Sequence, residues 1–308
     1  MICSPLGTSG ITVSRLGLGT VQLGMRYGLD GAAPPDDQEC IALIRRAVDT
    51  GIQYIDTAAA YGRSEMLVGK ACIGLPNPPV ICTKVTLPST QDGPQLIAHI
   101  EEQLEQSRRL LALDQLPLVM LHSQQGPFTH PALFEALEKL CARGWVCQWG
   151  VSTYGTVAPL HALEFPTVFA ALQVPFNVLD RQCEQLLFPR AAACGTGIVV
   201  RSIFLQGILG ERFPQLPSAL APLVEAVQAL VNLADQAGLS LAELAFRFAA
   251  FHPGLQIALF GTTSQTELSA NLQYFEAGPL PADLLTRLKE ITLSETRLLN
   301  PSTWPSPT

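Results

Sequence analysis

The sequence predicts an α/β fold in which eight parallel strands alternate with helices and close into a (β/α)8 TIM barrel. Three observations carry this. Eight short apolar runs rich in β-branched residues recur along the chain, and amphipathic segments separate them. The 308 residues also suit eight units of roughly 30 residues each.

In chain order, "CSPLGTSGITVSRLG" sets short alternating runs around a "TSG" turn. That pattern predicts a hairpin over 1–15 lying across the barrel's N-terminal mouth. "RLGLGT" (15–20) is the first barrel strand. Residues 36–50 follow two prolines and begin "DDQEC", an acidic helix start. "QYID", near residue 54, is the second strand, and "PVICTKV" (79–85), "QLPLVMLHS" (115–123) and "VCQWGVS" (146–152) are the next three. Between them, Leu96, Ile100, Leu104 and Leu111 recur at helical spacing within 94–112. Residues 131–143 start at Pro131, which suits a first helical turn, and stop at Gly144. Residues 154–163 carry a weaker helical pattern. "FAALQVPFN" (169–177), "GIVVRSIF" (197–204) and "LQIALFG" (255–261) complete the eight strands. Helices are expected over 181–194, 218–237, 240–251 and 264–276, two of them in the long gap before the last strand. One more helical pattern follows Pro279, before an irregular "NPSTWPSPT". No linker or exact repeat interrupts the chain, so 1–308 reads as a single domain, with 279–308 as a C-terminal helix and tail.

Composition narrows the function. A net charge of −7 and the lack of any Lys/Arg run argue against nucleic-acid and membrane-surface binding. Mean hydropathy is high, at +0.26, yet no apolar run reaches the ~18 residues of a spanning helix. "MICSPLGTSG" has no basic segment followed by an apolar one, so it does not read as a signal peptide. The eight cysteines form no CxxC pair and join no histidine cluster, so no metal site is expected. Most of them read as small core residues in a reducing cytoplasm.

In such a barrel the chemistry sits at the C-terminal ends of the strands. Strand two ends at Asp56, with Tyr61 just beyond; strand three ends at Lys84 and strand four at His122. Taken singly, each has an ordinary explanation: a helix cap, a packing tyrosine, a solvated lysine, a core histidine. Together they suit one chemistry. A phenol titrating near ~10 is a poor acid, and a neighbouring Lys⁺ lowers that value. Asp56 would hold Lys84 charged and aimed, and His122 would hydrogen-bond a substrate carbonyl. The group protonates an alkoxide as it forms, so it needs a hydride donor and implies a nicotinamide cofactor. Neither "GLGT" (17–20) nor "GTGIVV" (195–200) completes a dinucleotide fingerprint, so a Rossmann domain does not hold it.

The ordered set "LGLGT" (16–20), "GIQYIDTAAAYG" (51–62), "SEMLVGK" (64–70), "CTKV" (82–85), "LHS" (121–123), "GVST" (150–153) and "LQVPFN" (172–177) resembles the aldo-keto reductases over nearly the whole chain. The resemblance implies hydride transfer between NAD(P)H and a carbonyl compound, with Asp56, Tyr61, Lys84 and His122 as the tetrad and Tyr61 as acid or base. It places Gly19, Thr20, Asp56, Ser152, Thr153 and Gln173 at the cofactor. In this family asparagine commonly follows that serine, and here Thr153 does. Arg201 stands where an aromatic residue often stacks on the nicotinamide, and Ser202, Phe204, Leu205 and Gly207 follow toward the pyrophosphate. After strand eight, Gly261, Thr262, Ser264, Glu267 and Asn271 match the adenosine-phosphate loop. That loop has no Lys or Arg, and Glu267 lies where an arginine often does, so NAD(H) is preferred over NADP(H).

The pocket walls are expected from 22–31, 123–128, the loop after Arg201 and the tail around Trp304. Arg26 and Tyr27 would face a polar or anionic substrate or lie on the loop surface. A sugar, a small aldehyde, a keto compound and pyridoxal stay open as substrates, as does the oligomeric state. Two other functions remain at this level: a Schiff-base aldolase using Lys84, and a cofactor-sensing regulatory protein.

Overall fold

The computed structural model describes all residues except 29, 30, 89–92, 127, 129, 130, 211–219, 302, 303 and 305–308. A two-stranded antiparallel hairpin, β1 (Cys3–Pro5) and β2 (Thr12–Ser14), comes first. Eight parallel strands follow: β3 (Leu16–Gly19), β4 (Tyr54–Asp56), β5 (Val80–Val85), β6 (Leu116–Gln124), β7 (Val146–Thr153), β8 (Phe169–Pro175), β9 (Gly197–Arg201) and β10 (Ile257–Gly261). Each pairs with the next, and β10 pairs with β3, so the sheet closes.

The period-two alternation of a strand decides what enters the barrel. Tyr54, Cys82, Leu118, Met120, Ala171, Val199, Ile257 and Leu259 form one apolar cluster inside it. A Cβ on Gly17 would reach Leu259, Tyr54 and Ile257 within 3.0 Å, so the first strand can bring only glycine to that layer. Leu6 and Val13 of the hairpin join the cluster and plug the N-terminal mouth, as expected. Thr8 N–H to the Gly195 carbonyl (2.7 Å) and Gln53 N–H to Ser14 Oγ (2.7 Å) hold the plug in place.

The surrounding helices are α1 (Val21–Gly24), α2 (Asp37–Asp49), α3 (Ser64–Cys72), α4 (Gly93–Leu111), α5 (Pro131–Ala142), α6 (Val157–Ala162), α7 (Leu187–Cys194), α8 (Ala221–Gln236), α9 (Leu241–Ala250), α10 (Gln265–Glu276) and α11 (Ala282–Glu290). Their apolar faces and the outward strand residues make a second, larger core. α2 starts in a full capping box between Asp36 and Glu39, which explains its sharp beginning after the prolines. The helix expected over 181–194 is shorter. Arg181 donates to the carbonyls of Leu288, Lys289 and Ile291 (3.2, 3.1 and 3.0 Å), and this tie to the segment after α11 holds 181–186 in turns. Residues 218 and 219 of the next expected helix lie outside the described residues. Among the described residues no helix is long and apolar enough to cross a membrane.

Candidate active site

The strand ladders carry the site. Two residues beyond the inner cluster, the strands bring Gly19, Asp56, Lys84, His122, Ser152, Gln173, Arg201 and Gly261 to the same face of the barrel. Alternation turns these residues toward the C-terminal mouth.

Asp56, Lys84 and Tyr61 form the centre. Lys84 is fully buried and Asp56 is 4 % exposed. Lys84 Nζ donates to Asp56 Oδ1 (2.5 Å), to the Thr57 carbonyl (3.0 Å) and to Tyr61 Oη (3.5 Å). An ammonium that deep survives only with a partner. Burial by itself depresses Lys84, but Asp56, Tyr61 and Cys82 outweigh it and raise its pKa, so the cation persists. His122 meets the Tyr61 ring edge-on at 5.5 Å, which brings all four tetrad residues together.

Asp56 does not cap the next helix; α3 begins eight residues later, at Ser64. The intervening turn is tied at many points. The Asp56 carbonyl accepts from Thr20 N–H (3.0 Å) and Thr20 Oγ1 (2.7 Å). The Ser64 hydroxyl bonds those of Thr20 (2.7 Å) and Thr57 (2.8 Å). Ala59 N–H donates to the Lys84 carbonyl (3.2 Å). Thr20 is fully enclosed and its hydroxyl belongs to this turn. A Cβ on Gly24 would lie 1.9 Å from the Tyr61 carbonyl oxygen, and Gly62 has φ +57°, so both positions require glycine for the turn to close. Beneath it, buried Glu65 accepts from Thr83 Oγ1 (2.5 Å), which fixes the backbone just before Lys84.

The electrostatics correct one expectation. Lys84 does pull the Tyr61 pKa down, yet burial is the larger effect and the net shift is upward. The phenol is therefore protonated at neutral pH, a proton donor rather than a standing phenolate. His122 is pushed down to about 3, first by burial and then by the charges of Lys84 and Arg201, so it is neutral at the pH of life. Because its unfolded value is near ~6.5, the unfolded chain binds the extra proton between these limits. Stability from the neutral ring is fully present above the unfolded value and falls as pH drops toward the folded one. Urea unfolding from pH 7 to pH 4 should show a shallower stability loss in His122→Asn than in the parent.

Ser152 Oγ donates to Gln173 Oε1 (3.2 Å), and Gln173 Nε2 donates to Asp56 Oδ2 (2.6 Å). These two expected cofactor contacts are thereby wired to the central pair. Thr153 is enclosed, and its carbonyl accepts from Arg201 Nη2 (2.9 Å). Arg201 also donates to Ser202 Oγ (3.2 Å) and stacks on Tyr154 at 4.1 Å. Ser202, Leu205 and Gln206 all have positive φ (60°, 46° and 55°), so backbone strain concentrates in the loop after β9. The side chains of Phe204 and Leu205 face the outer core instead of the mouth, and the Gly207 N–H bonds the Phe204 carbonyl (2.9 Å). Past β10, Ser264 caps α10 by accepting from the N–H groups of Thr266 and Glu267. Glu267 accepts from Thr262 Oγ1 (2.6 Å). Asn271, 5 % exposed, makes no side-chain hydrogen bond to any described residue.

Sequence reasoning missed Tyr154, Asn177 and Asp180. Asn177 Nδ2 donates to the Ser202 carbonyl (3.1 Å) and its Oδ1 accepts from Leu179 and Asp180 N–H (2.9 Å each), stitching the loops after β8 and β9 together. Of the expected walls, Arg26 bonds the Gly31 carbonyl on the surface (2.8 Å). Trp304 bonds the Leu298 carbonyl (2.9 Å) and packs on the outer core. Part of 22–31 and of 123–128 lies outside the described residues. A groove of about 730 Å³ lined by Met1, Ile2, Arg46, Leu272 and Phe275 lies away from the tetrad, between the chain start, the end of α2 and the end of α10.

Comparison with known proteins agrees with this fold. The model of the aldo/keto reductase family matches residues 15–292. The aldo-keto reductase YhdN of Bacillus subtilis is 28 % identical, covering 86 % of each chain. An NADH-specific methylglyoxal reductase of Escherichia coli is 32 % identical over 67 % of this chain and 68 % of its own. The holo structure of aldo-keto reductase AKR11C1 from Bacillus halodurans superposes with a TM-score of 0.78 and 27 % identity, covering 94 % of this chain and 96 % of that one. The chain therefore belongs to the aldo/keto reductase family, NAD(P)-dependent oxidoreductases that act on small carbonyl compounds.

Proposed function

We propose that this protein reduces an aldehyde or ketone to the alcohol, or runs the reverse oxidation, with Tyr61 as the group that gives or takes the proton. The observation that carries the reading is Lys84 Nζ placed between Asp56 Oδ1 and Tyr61 Oη at the end of the closed barrel. When bound, NAD(P)H supplies the hydride. The protein's part is proton handling and positioning. The Tyr61 hydroxyl donates to the carbonyl oxygen as negative charge develops there. Lys84, held charged by Asp56, stabilises the phenolate left on Tyr61. Neutral His122 donates a second hydrogen bond that fixes the carbonyl's direction. Ser152, Gln173, Thr262, Ser264 and Asn271 would hold the cofactor, the first two beside the acid–base pair and the others at the α10 end.

The aldolase alternative loses support. A Schiff base needs a neutral amine, whereas Lys84 is ion-paired and its pKa is raised. NAD(H) is the preferred cofactor in this reading, because 261–271 contains no Lys or Arg and carries Glu267. The absence of any CxxC pair or clustered motif among the cysteines fits a reducing cytoplasm.

The test is a screen of aldoses, small aldehydes, keto compounds and pyridoxal with NADH and NADPH, following loss of reduced-nicotinamide absorbance. Faster consumption with NADH is expected. No consumption with any carbonyl would reject the reading.

A further inference from the structure

We propose that Arg201 recognises an oxyanion, a carboxylate or phosphate, carried by the carbonyl substrate. This rests on the oxidoreductase reading above and adds the substrate class.

Arg201 ends β9 in the mouth, half-buried, with its guanidinium fixed in place. One edge donates to the Thr153 carbonyl (2.9 Å) and to Ser202 Oγ (3.2 Å), while the flat face stacks on Tyr154 at 4.1 Å. A guanidinium carries five N–H donors. The remaining ones reach no acceptor among the described residues. Among the described residues no carboxylate pairs with it within 4.0 Å. The acid that does feel its charge is Asp180, 3 % exposed, whose carboxylate accepts from Gln182 Nε2 (3.1 Å). Lys84, the other mouth cation, is already neutralised by Asp56 at 2.5 Å.

The groups facing Arg201 from other elements point to the same use. Burial is the main influence on the Tyr61, Tyr27 and His122 side chains, raising the two phenols and lowering the imidazole, and the Arg201 charge acts on each as a smaller downward influence, so all three lie within reach of its field. Tyr27 comes from the loop after α1, and Gln206 lies beside its hydroxyl. The mouth therefore combines one fixed cation with open donors, two neighbouring phenols (Tyr27 and Tyr154) and the acid–base pair. A preorganised fork of this kind matches a carboxylate or phosphate.

The experiment compares matched pairs: succinic semialdehyde with butanal, and glyceraldehyde phosphate with glyceraldehyde. The reading is the ratio of kcat/KM for the anionic member to that for the neutral one, in which losses common to both cancel. The parent should favour the anionic member by ~10-fold or more in at least one pair, as expected for charge-assisted hydrogen bonds. Which pair responds tells carboxylate from phosphate. Arg201→Met should bring the ratio toward one, and Arg201→Lys should keep part of it. A parent ratio near one, or a ratio unchanged in Arg201→Met, would overturn the proposal. So would a loss in Arg201→Met confined to affinity for the reduced cofactor, which would assign Arg201 to the nicotinamide side. If no aldehyde is reduced at all, the oxidoreductase reading fails. The anion site is then read by calorimetric titration of succinate and inorganic phosphate into the parent and Arg201→Met. Saturable binding by the parent alone supports the site, and equal binding or none by the two overturns it.

Discussion

Tyr61→Phe is expected to lower kcat for carbonyl reduction by ~10²–10⁴-fold, the range contributed by a positioned general acid. Affinity for the reduced cofactor should stay within about twofold, measured by quenching of its fluorescence, because the change removes one oxygen and keeps the ring. The ring still meets His122 edge-on, so the fold of the mouth is preserved. The pH profile adds a second readout. Burial raises the Tyr61 pKa, with Lys84 opposing. Reduction by the parent should therefore hold level across neutral pH and decline only beyond the ordinary phenol range. Oxidation of the alcohol needs the phenolate and should rise with pH over the same span. A Tyr61→Phe protein with parental turnover would remove Tyr61 from the chemistry.

Lys84→Met should damage both activity and stability. It leaves Asp56 at 4 % exposure with Gln173 Nε2 (2.6 Å) as its remaining side-chain donor. Breaking one side of a buried ion pair costs about 3–5 kcal/mol, chiefly the penalty of the orphaned charge. Turnover should fall at least as far as in Tyr61→Phe, since the phenolate loses its stabilising cation. Removing both charges, in Asp56→Asn/Lys84→Met, should recover much of the stability and none of the activity. Urea unfolding measures the first and cofactor oxidation the second. Equal stability of single and double variants would mean that Asp56 is not strained by the loss of its partner.

Much of this site was legible from strand alternation. Once "YID", "CTKV" and "MLHS" are read as strands, Asp56, Lys84 and His122 must share a face with the inward residues two positions earlier. The same rule brings Ser152, Gln173 and Arg201 to that rim. Alternation says nothing about what meets a side chain from a different loop. The Tyr154 ring on Arg201 and the Asn177 bond to the Ser202 carbonyl depend on loops brought together only by closure of the barrel. The sign of the Tyr61 shift was illegible for a related reason. A sequence shows that a lysine is near, but desolvation depends on how completely the mouth encloses the phenol, and here enclosure is the larger effect. The helix expected over 181–194 begins only at Leu187 because Arg181 finds three carbonyls more than a hundred residues away, and such ties override local propensity.

The decisive measurement is the fate of deuterium from a reduced nicotinamide labelled at its transferable position. In a single turnover with an aldehyde, the label should appear on the carbinol carbon of the product alcohol, and Tyr61→Phe should slow that appearance by orders of magnitude. An alcohol that takes its new hydrogen from solvent, or an aldehyde that borohydride traps on Lys84, would contradict hydride transfer at this site.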